Sequence, residues 1–418
     1  MKRVLTLLVA VALLMGLFAG GSLAEAAKSK IVFCVNIQPQ LPVEFWQSIA
    51  DKYMAANPDV TVEIIGQPSS NVDVFQYEKT LLATGQFPDV MVMQNPADFV
   101  PSGALMAFED SELDYLADPN IGKIGGKQYV ANYKKQVIGV FYNKAIFAAN
   151  GLEVPTTYQA FLDVCEALKA KDILPVSLGI KDGWPQIMLA NMIAGTDVLA
   201  KDPAWGSERN ADTVKFNNPD LVKAMEKYQY ICQNYAGDSL PSITYTQMLE
   251  QFFTGKAAML PMGSWVNAEV AKAQQDFEVG WFPMPGDNDA KVLSVFVNEG
   301  LSISATTQYP EVCKDFVKFF FTNTELYSFF LSSEQLFATT KAPVAYEKIP
   351  LREYIETAIA GMTEVEGFES MTGDAAFLPG LKDYYTNKLT QNIALGNDVA
   401  TELANFDNEW AIAKEGMN

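Results

Sequence analysis

Short strand patterns and longer helix patterns alternate between Lys30 and Met93. Runs rich in β-branched residues predict strands, and apolar residues at helical spacing predict helices. The predicted elements are strand 30–36, helix 43–55, strand 60–65, helix 74–83 and strand 89–93. This alternation is typical of a doubly wound α/β sheet, in which ligands bind beyond the carboxyl ends of the strands. The loops 37–41, 66–71 and 94–98 are therefore candidate site loops.

The sequence pattern of residues 139–168 predicts a second βα unit. The run 137–142 predicts a strand, after which Asn143 can cap a short helix that Gly151 ends in the left-handed conformation. Thr156 and Gln159 have the spacing of a capping box at the start of the next helix. Three apolar residues follow on one face of that helix: Phe161, Cys165 and Leu168.

The amino-acid sequence of this segment resembles that of the corresponding segment in a known family. Segment 139–168, FPDV at 87–90, FFTGKAAMLPMGSW at 252–265 and VGWFPMPG at 279–286 occur in the order and spacing of that family. The chain resembles the extracellular solute-binding proteins of ABC importers, in the carbohydrate-type group related to maltose-binding protein. The four segments together span most of the chain.

The resemblance implies an α/β fold of two lobes, each a mostly parallel sheet flanked by helices. A length of 418 residues also exceeds one ordinary domain. The implied N-terminal lobe comprises 27–137 and 284–322, and the C-terminal lobe comprises 138–283 and 323–418. A three-segment hinge is implied at 136–138, 282–285 and 321–324, which would let the lobes close around a cleft.

The N-terminus has the pattern of a secretory signal. Lys2 and Arg3 precede the apolar run 4–18, and small residues follow near Ala24 and Ala26. We therefore predict that 1–26 is a cleaved signal peptide and that the protein is exported, to the periplasm or cell envelope. An uncleaved anchor stays an alternative, although the run is short for a spanning helix. Lipid attachment at Cys34 is not expected, because bulky residues precede it.

Charge and composition exclude several function classes. The net charge of −20 repels phosphate backbones, so nucleic-acid binding is not expected. The sequence contains no histidine, which excludes Ser-His-Asp and Cys-His catalysis and imidazole-containing zinc sites. No nucleotide-binding glycine motif occurs, and no cofactor is predicted. Paired carboxylates for glycoside hydrolysis, and oxygen ligands for a cation, stay chemically possible.

The four cysteines are scattered along the chain and lack metal-ligand spacing. Each lies in an apolar strand or helix pattern, which predicts buried free thiols. Export would permit disulfides without requiring them. The positions are Cys34, Cys165, Cys232 and Cys313.

Sugars offer apolar C–H faces flanked by hydroxyls, so their sites combine flat aromatic rings with planar polar groups. Trp265 is the strongest candidate, because Gly263 and Ser264 end a strand and turn into a helix at the expected cleft. The resemblance places a stacking aromatic there. Trp184, in a βα turn of the second lobe, is the next candidate. Packing in the lobe core is the alternative for both tryptophans.

Further polar candidates follow strands or lie near the implied crossings. Gln94 and Asn95 come directly after strand 89–93, Gln136 begins the first crossing, and Asn298 and Glu299 precede the return into the first lobe. Ordinary turn or hinge hydrogen bonds are the alternative for these residues. The complete predicted ligand-binding set is Trp265, Trp184, Gln94, Asn95, Gln136, Asn298, Glu299 and Ser264.

The sequence therefore predicts a monomeric substrate-binding component of an ABC importer, without catalytic activity. It would bind a sugar or oligosaccharide by lobe closure and deliver it to permease subunits in the membrane. Two alternatives are a secreted glycoside hydrolase and a binding protein for a polyamine, peptide or cation. The hydrolase would need a second carboxylate near Glu299, and the sequence offers no evident partner.

Overall fold

The computed structural model describes residues 28–37, 41–67, 74–288, 290–297 and 299–417. The predicted signal peptide 1–26 lies outside these residues. The strands are β1 (Ser29–Val35), β2 (Val60–Gly66), β3 (Val90–Met93), β4 (Ala131–Asn132), β5 (Gln136–Asn143), β6 (Leu174–Val176), β7 (Ala257–Gly263), β8 (Val279–Phe282), β9 (Val292–Phe296), β10 (Gly300–Ile303) and β11 (Thr363–Glu366). No helix within the described ranges is long and apolar enough to cross a membrane.

In the described part of the chain, α-helices lie between most of the strands in sequence and continue to the C-terminal end of the described residues. They are α1 (Val43–Ala56), α2 (Val74–Ala83), α3 (Lys144–Ala149), α4 (Tyr158–Lys169), α5 (Ile187–Ala194), α6 (Trp205–Asn210), α7 (Pro219–Tyr235), α8 (Tyr245–Phe253), α9 (Val266–Lys272), α10 (Pro310–Thr322), α11 (Thr324–Glu334), α12 (Pro350–Ala358), α13 (Leu381–Tyr384), α14 (Thr390–Ala394) and α15 (Val399–Met417). Wider π-helical turns span Gly195–Leu199 and Tyr385–Leu389.

The strands form two separate sheets. The first has the order β2-β1-β3-β10-β4, with β1 parallel to β2 and β3, and β10 antiparallel to β3 and β4. The second has the order β11-β9-β5-β7-β6, with β8 also paired to β5. Its central strand β5 is antiparallel to β7, β8 and β9. The two-lobed α/β architecture is confirmed, but both sheets are mixed rather than mostly parallel.

Strand β1 shows how the first lobe is assembled. Phe33 and Val35 enter the core that α1, α10 and α11 cover, while Cys34 between them enters the core on the opposite face. Successive side chains of a strand point to opposite faces, so an apolar run of this kind requires cover on both sides. Helices on both faces of the sheet are the result.

Strand pairing and helix packing correct the implied lobe boundaries. Segment 284–322 was assigned to the first lobe by resemblance, but β9 pairs with β5 and β11 in the second sheet. Likewise, the second lobe was expected to resume at 323, but α11 buries Leu326, Tyr327 and Phe330 in the first core. The residues of β9 are buried on both faces and would suit either sheet, so their pattern carries no information about the lobe.

Three crossing segments therefore lie elsewhere than at 136–138, 282–285 and 321–324. The first runs from β4 to β5, the second from β9 to β10, and the third passes Leu336 in the first core and Phe337 in the second. They lie side by side: the Tyr133 amide donates to the Glu299 carbonyl at 3.3 Å, and the Lys135 amide donates to the Phe337 carbonyl at 3.0 Å.

Local signals in the second βα unit are mostly confirmed. The Asn143 side chain accepts from the Ile146 amide at 3.0 Å, and Gly151 has a φ of 62°. The predicted capping box is wrong by one residue, because Thr157 caps α4 by accepting from the Ala160 amide. All four cysteines are buried and unpaired, as predicted.

Candidate ligand-binding site

A row of four aromatic rings lies at one end of the second sheet. The Trp184 ring centroid is 4.8 Å from that of Tyr245 and 6.1 Å from that of Trp265. Trp265 in turn is nearly parallel to Phe296, at 6.4 Å. Both tryptophans are half-buried, so each keeps part of its ring surface accessible. We call these four residues the aromatic row.

The aromatic row ends beside the crossing segments. Phe296 is the last residue of β9 and pairs with Gln136 at the start of β5. Gly263 ends β7, and the Trp265 ring lies so close over it that a side chain there would collide with the ring. The Phe296 end of the row therefore lies where the chain passes between the lobes, and Gln136, itself half-buried, lies beside Phe296.

Trp184 is held in a tight turn before α5, which begins at Ile187. The Gln186 side chain donates to the carbonyls of Gly183 at 2.6 Å and Thr386 at 2.9 Å. Thr386 belongs to the π-helical turn Tyr385–Leu389, so this turn anchors the tryptophan to the C-terminal helices. Gly183 has a φ of 81°, which favours glycine.

Ser264 has a supporting position in this structure. Its side chain is buried, and its hydroxyl accepts from the Val137 amide at 3.1 Å, while its own amide donates to the Val137 carbonyl at 2.8 Å. These two bonds fasten the turn before Trp265 to β5. Ser264 thus fixes the position of the neighbouring Trp265 through its bonds to β5. Its hydroxyl is buried and does not face an open surface.

Both lobes contribute to a small pocket. Gln94 and Asn95, directly after β3, line it from the first lobe, and Glu369, Thr372 and Lys382 are among its lining residues from the second. The enclosed volume is about 30 Å³. Ligand pockets usually enclose about 300–1,000 Å³. With the lobes in this arrangement, the pocket is too small for a sugar-sized ligand.

Further contacts between the lobes involve residues before β4 and after β11. The Gly125 amide donates to the Asp374 carboxylate at 2.8 Å, and Gly122 lies against Thr372. The loop around Gly125 precedes β4 of the first lobe, whereas Asp374 follows β11 of the second. The structure thus has the two lobes in contact.

Glu369 was not identified from the sequence, although it lines the pocket from the second lobe. Its carboxylate accepts from the Asn191 side chain at 2.6 Å and lies 3.9 Å from the Lys382 ammonium. Burial raises the pKa of this carboxyl above its ordinary range, and Lys382 partly opposes that shift. The segment is linked to the aromatic row, because Gly367 lies directly against the Phe296 ring.

Glu299 is buried and fully engaged by protein groups. One oxygen accepts from the Tyr133 hydroxyl, and the other lies 3.2 Å from the Lys134 ammonium and 3.3 Å from the Gln94 amide nitrogen. These contacts occupy both carboxylate oxygens. Asn298 lies outside the described residues. Among the described residues, no group of three or more His, Cys, Asp or Glu side chains is placed to hold a metal ion.

A family model for bacterial extracellular solute-binding proteins matches residues 39–325. The chain belongs to this family. Solved structures support the fold over nearly the full length: a chitin oligosaccharide binding protein aligns with a TM-score of 0.81 at 22% identity, covering 94% of this chain and 100% of that chain. The binding protein RafE in complex with raffinose aligns with a TM-score of 0.73 at 20% identity, covering 93% and 100%.

Two relatives found by sequence are identical to this chain at about a quarter of the aligned positions. A multiple sugar-binding protein of Streptococcus mutans is 26% identical over 291 residues, which cover 65% of this chain and 67% of the relative. A maltotriose-binding protein of Pyrococcus abyssi is 25% identical over 318 residues, covering 72% and 65%. The matched regions thus span about two thirds of these relatives.

Proposed function

We propose that this family member binds a carbohydrate between its lobes and delivers it to the permease of an ABC importer. The observation that carries the proposal is the aromatic row together with a pocket to which both lobes contribute amide and carboxylate side chains, the two being linked where Gly367 lies against the Phe296 ring. Flat rings suit the C–H faces of a sugar, and amide and carboxylate groups suit its hydroxyls. A site with both features favours a carbohydrate over a compact ion.

The proposed contacts divide between the lobes. Trp265 and Trp184 stack on sugar faces, and Gln94, Asn95 and Glu369 hydrogen-bond to hydroxyls. Gln136 and Asn298 are proposed to add polar contacts near the crossings. Glu299 and Ser264 are assigned supporting roles, because their polar atoms are bonded to protein groups and neither residue lines the pocket.

The relatives support the ligand class. Two sequence relatives are named for multiple sugars and for maltotriose, and two structural relatives for chitin oligosaccharide and for raffinose. These sugars differ in ring type and linkage but all present stacking faces and hydroxyls. The class of ligand is therefore proposed, and the individual sugar is left to experiment.

Transport would depend on lobe closure. A ligand that contacts both lobes binds the closed form more tightly than the open form, and this difference in affinity shifts the population towards closure. We propose that the permease recognises the closed form and that the exported protein acts as a monomer without chemical turnover.

A thermal-shift screen of residues 27–418 tests the ligand class. The panel comprises maltotriose, raffinose, a chitin oligosaccharide and galactose, with putrescine, a tripeptide and calcium for the alternative classes. A ligand at 100 times its Kd stabilises the folded state by about 2.7 kcal/mol. Stabilisation by a sugar supports the proposal, whereas stabilisation by a non-sugar alone contradicts it.

Hydrolysis assays separate binding from catalysis. The same protein is incubated with chromogenic glycosides and with each stabilising sugar, and the products are separated by chromatography. Unchanged sugars are expected. Release of a glycoside product by purified protein, lost on substitution of Glu299 or Glu369, would favour the hydrolase instead.

A further inference from the structure

Three buried charges meet between the lobes. The Lys134 ammonium lies 3.2 Å from a carboxylate oxygen of Glu299 and 3.2 Å from one of Glu334. All three side chains are at least nine-tenths buried. We call these residues the buried triad. Buried charges are costly to desolvate, so a group of this kind persists only with close and well-oriented partners.

Each residue of the buried triad lies in, or directly before, a different crossing. Lys134 lies between β4 and β5, Glu299 lies between β9 and β10, and Glu334 ends α11 immediately before the third crossing. The backbone bonds between the crossings run alongside these ion pairs. A rotation of one crossing against the others would therefore stretch an ion pair in a water-poor interior.

Glu299 connects the buried triad to the pocket. Its oxygen that faces Lys134 also accepts from the Gln94 side chain at 3.3 Å, and Tyr133 donates to its other oxygen. Gln94 lines the pocket directly after β3. Two groups without a contact to the pocket, Lys134 and Glu334, thus fix the carboxylate that orients a pocket residue.

We propose that Lys134 and Glu334 are positioning residues that act through Glu299, setting the orientation of Gln94 and coupling it to the angle between the lobes. The proposal rests on the proposed function, since Gln94 is there a ligand contact. It predicts that neutralising Glu334 changes both Gln94 and the distribution of lobe orientations before any ligand is added.

The state of Gln94 can be measured by NMR on ¹⁵N-labelled, ligand-free protein. Its side-chain amide signals are identified by their loss in Gln94→Ala. Glu334→Gln is expected to shift these signals. The matched control is Glu364→Gln, which removes the partially exposed ion pair that Lys135 makes with Glu364 at 2.7 Å, next to the first crossing, and should leave the signals in place.

The angle between the lobes can be measured by pulsed EPR. Spin labels are placed at Glu44→Cys on α1 and Glu226→Cys on α7, both exposed positions. The four native cysteines are buried and do not compete for the label. Glu334→Gln is expected to broaden the inter-label distance distribution, and Glu364→Gln is expected to reproduce the wild-type distribution.

The NMR and EPR measurements test the proposal on ligand-free protein, so no sugar needs to be identified first. Unshifted Gln94 signals and an unchanged distance distribution in folded Glu334→Gln, with only a lower unfolding temperature, would overturn it and leave a purely stabilising role. Where Glu334→Gln does not fold, Glu334→Leu decides, since an apolar side chain of similar size removes the ion pair with Lys134 and leaves no unpaired polar atom at position 334. Shifted Gln94 signals in this variant support the proposal, and unshifted signals overturn it. Failure of every sugar to bind would contradict the proposed function but would not alter these ligand-free measurements.

Discussion

At the scale of single residues, the aromatic row depends on positions that lack a side chain. Gly263 leaves the space that the Trp265 ring fills, and Gly367 does the same for Phe296. A methyl group at either position would displace a ring by direct collision. The orientation of the row is therefore fixed by the backbone of β7 and of the segment after β11.

The first prediction concerns the ring of Trp265. Trp265→Ala should weaken binding of the stabilising sugar by about 1.5–4 kcal/mol, as the loss of a central aromatic anchor does. Trp265→Phe, the matched control, keeps a ring for stacking and should lose less. Calorimetric titration measures both. Wild-type affinity in the alanine variant would show that the ring is structural.

A second prediction follows from the buried thiols. Burial raises the pKa of Cys34 to about 12 and that of Cys313 to about 11, so the reactive thiolate is suppressed as well as shielded. A thiol reagent should leave the native protein unlabelled and should titrate four thiols after denaturation without reductant. A titre of two would reveal a disulfide and contradict the structure.

At the scale of elements, the third prediction concerns which threonine caps the N-terminus of helix α4. The Thr157 hydroxyl accepts from the Ala160 amide, whereas the neighbouring Thr156 is exposed. Thr157→Ala should lower the free energy of unfolding by about 1 kcal/mol, because a helix N-terminal amide loses its acceptor. Thr156→Ala serves as the matched control and should leave urea unfolding nearly unchanged. The reverse order would restore the capping box predicted from sequence.

Elements with strong periodicity were predictable from sequence. The bounds of α2 agree with prediction, and those of β1, β2 and β3 differ from prediction by at most one residue at either end. Pairing was not predictable, since β9 is buried on both faces and suits either sheet. The site shows the same division: Gln94 follows a strand and could be proposed from order alone, whereas Glu369 meets the pocket through long-range contacts that leave no local pattern.

At the scale of the whole molecule, acid stability depends on carboxylates paired across elements. Asp287, after β8, accepts from Lys223 and Lys227 of α7 at 2.8 and 2.6 Å. These bonds lower its pKa to about 2. A folded pKa below the unfolded value of about 3.9 stabilises the fold above that pH, and the contribution disappears as pH falls towards 2.

We therefore expect Asp287→Asn to be less stable than the wild type at pH 7 and equally stable near pH 2. Urea unfolding over this range measures the difference, with Glu226→Gln as an exposed control on α7. A difference that persists undiminished at the lowest pH would mean that the substitution acts through packing and not through charge.

Lobe closure gives the last prediction. The present pocket is too small for a sugar, so ligand-free protein in solution should populate a more open form. A saturating sugar should reduce the radius of gyration in small-angle scattering, and fluorescence from Trp184 and Trp265 should change over the same titration. An unchanged radius with a sugar bound would indicate a fixed binding surface and remove the closing mechanism.

The strand pairing also determines how early in synthesis the chain can complete its fold. Met93 of β3 pairs with Gly300 of β10, and Gln136 of β5 pairs with Phe296 of β9. Neither sheet is complete until strands from late in the chain have been synthesised, and such long-range closure is slow. A nascent chain of this topology consequently cannot complete either sheet until most of it has been synthesised, and a chain that has not completed its fold is one that a membrane translocase can thread.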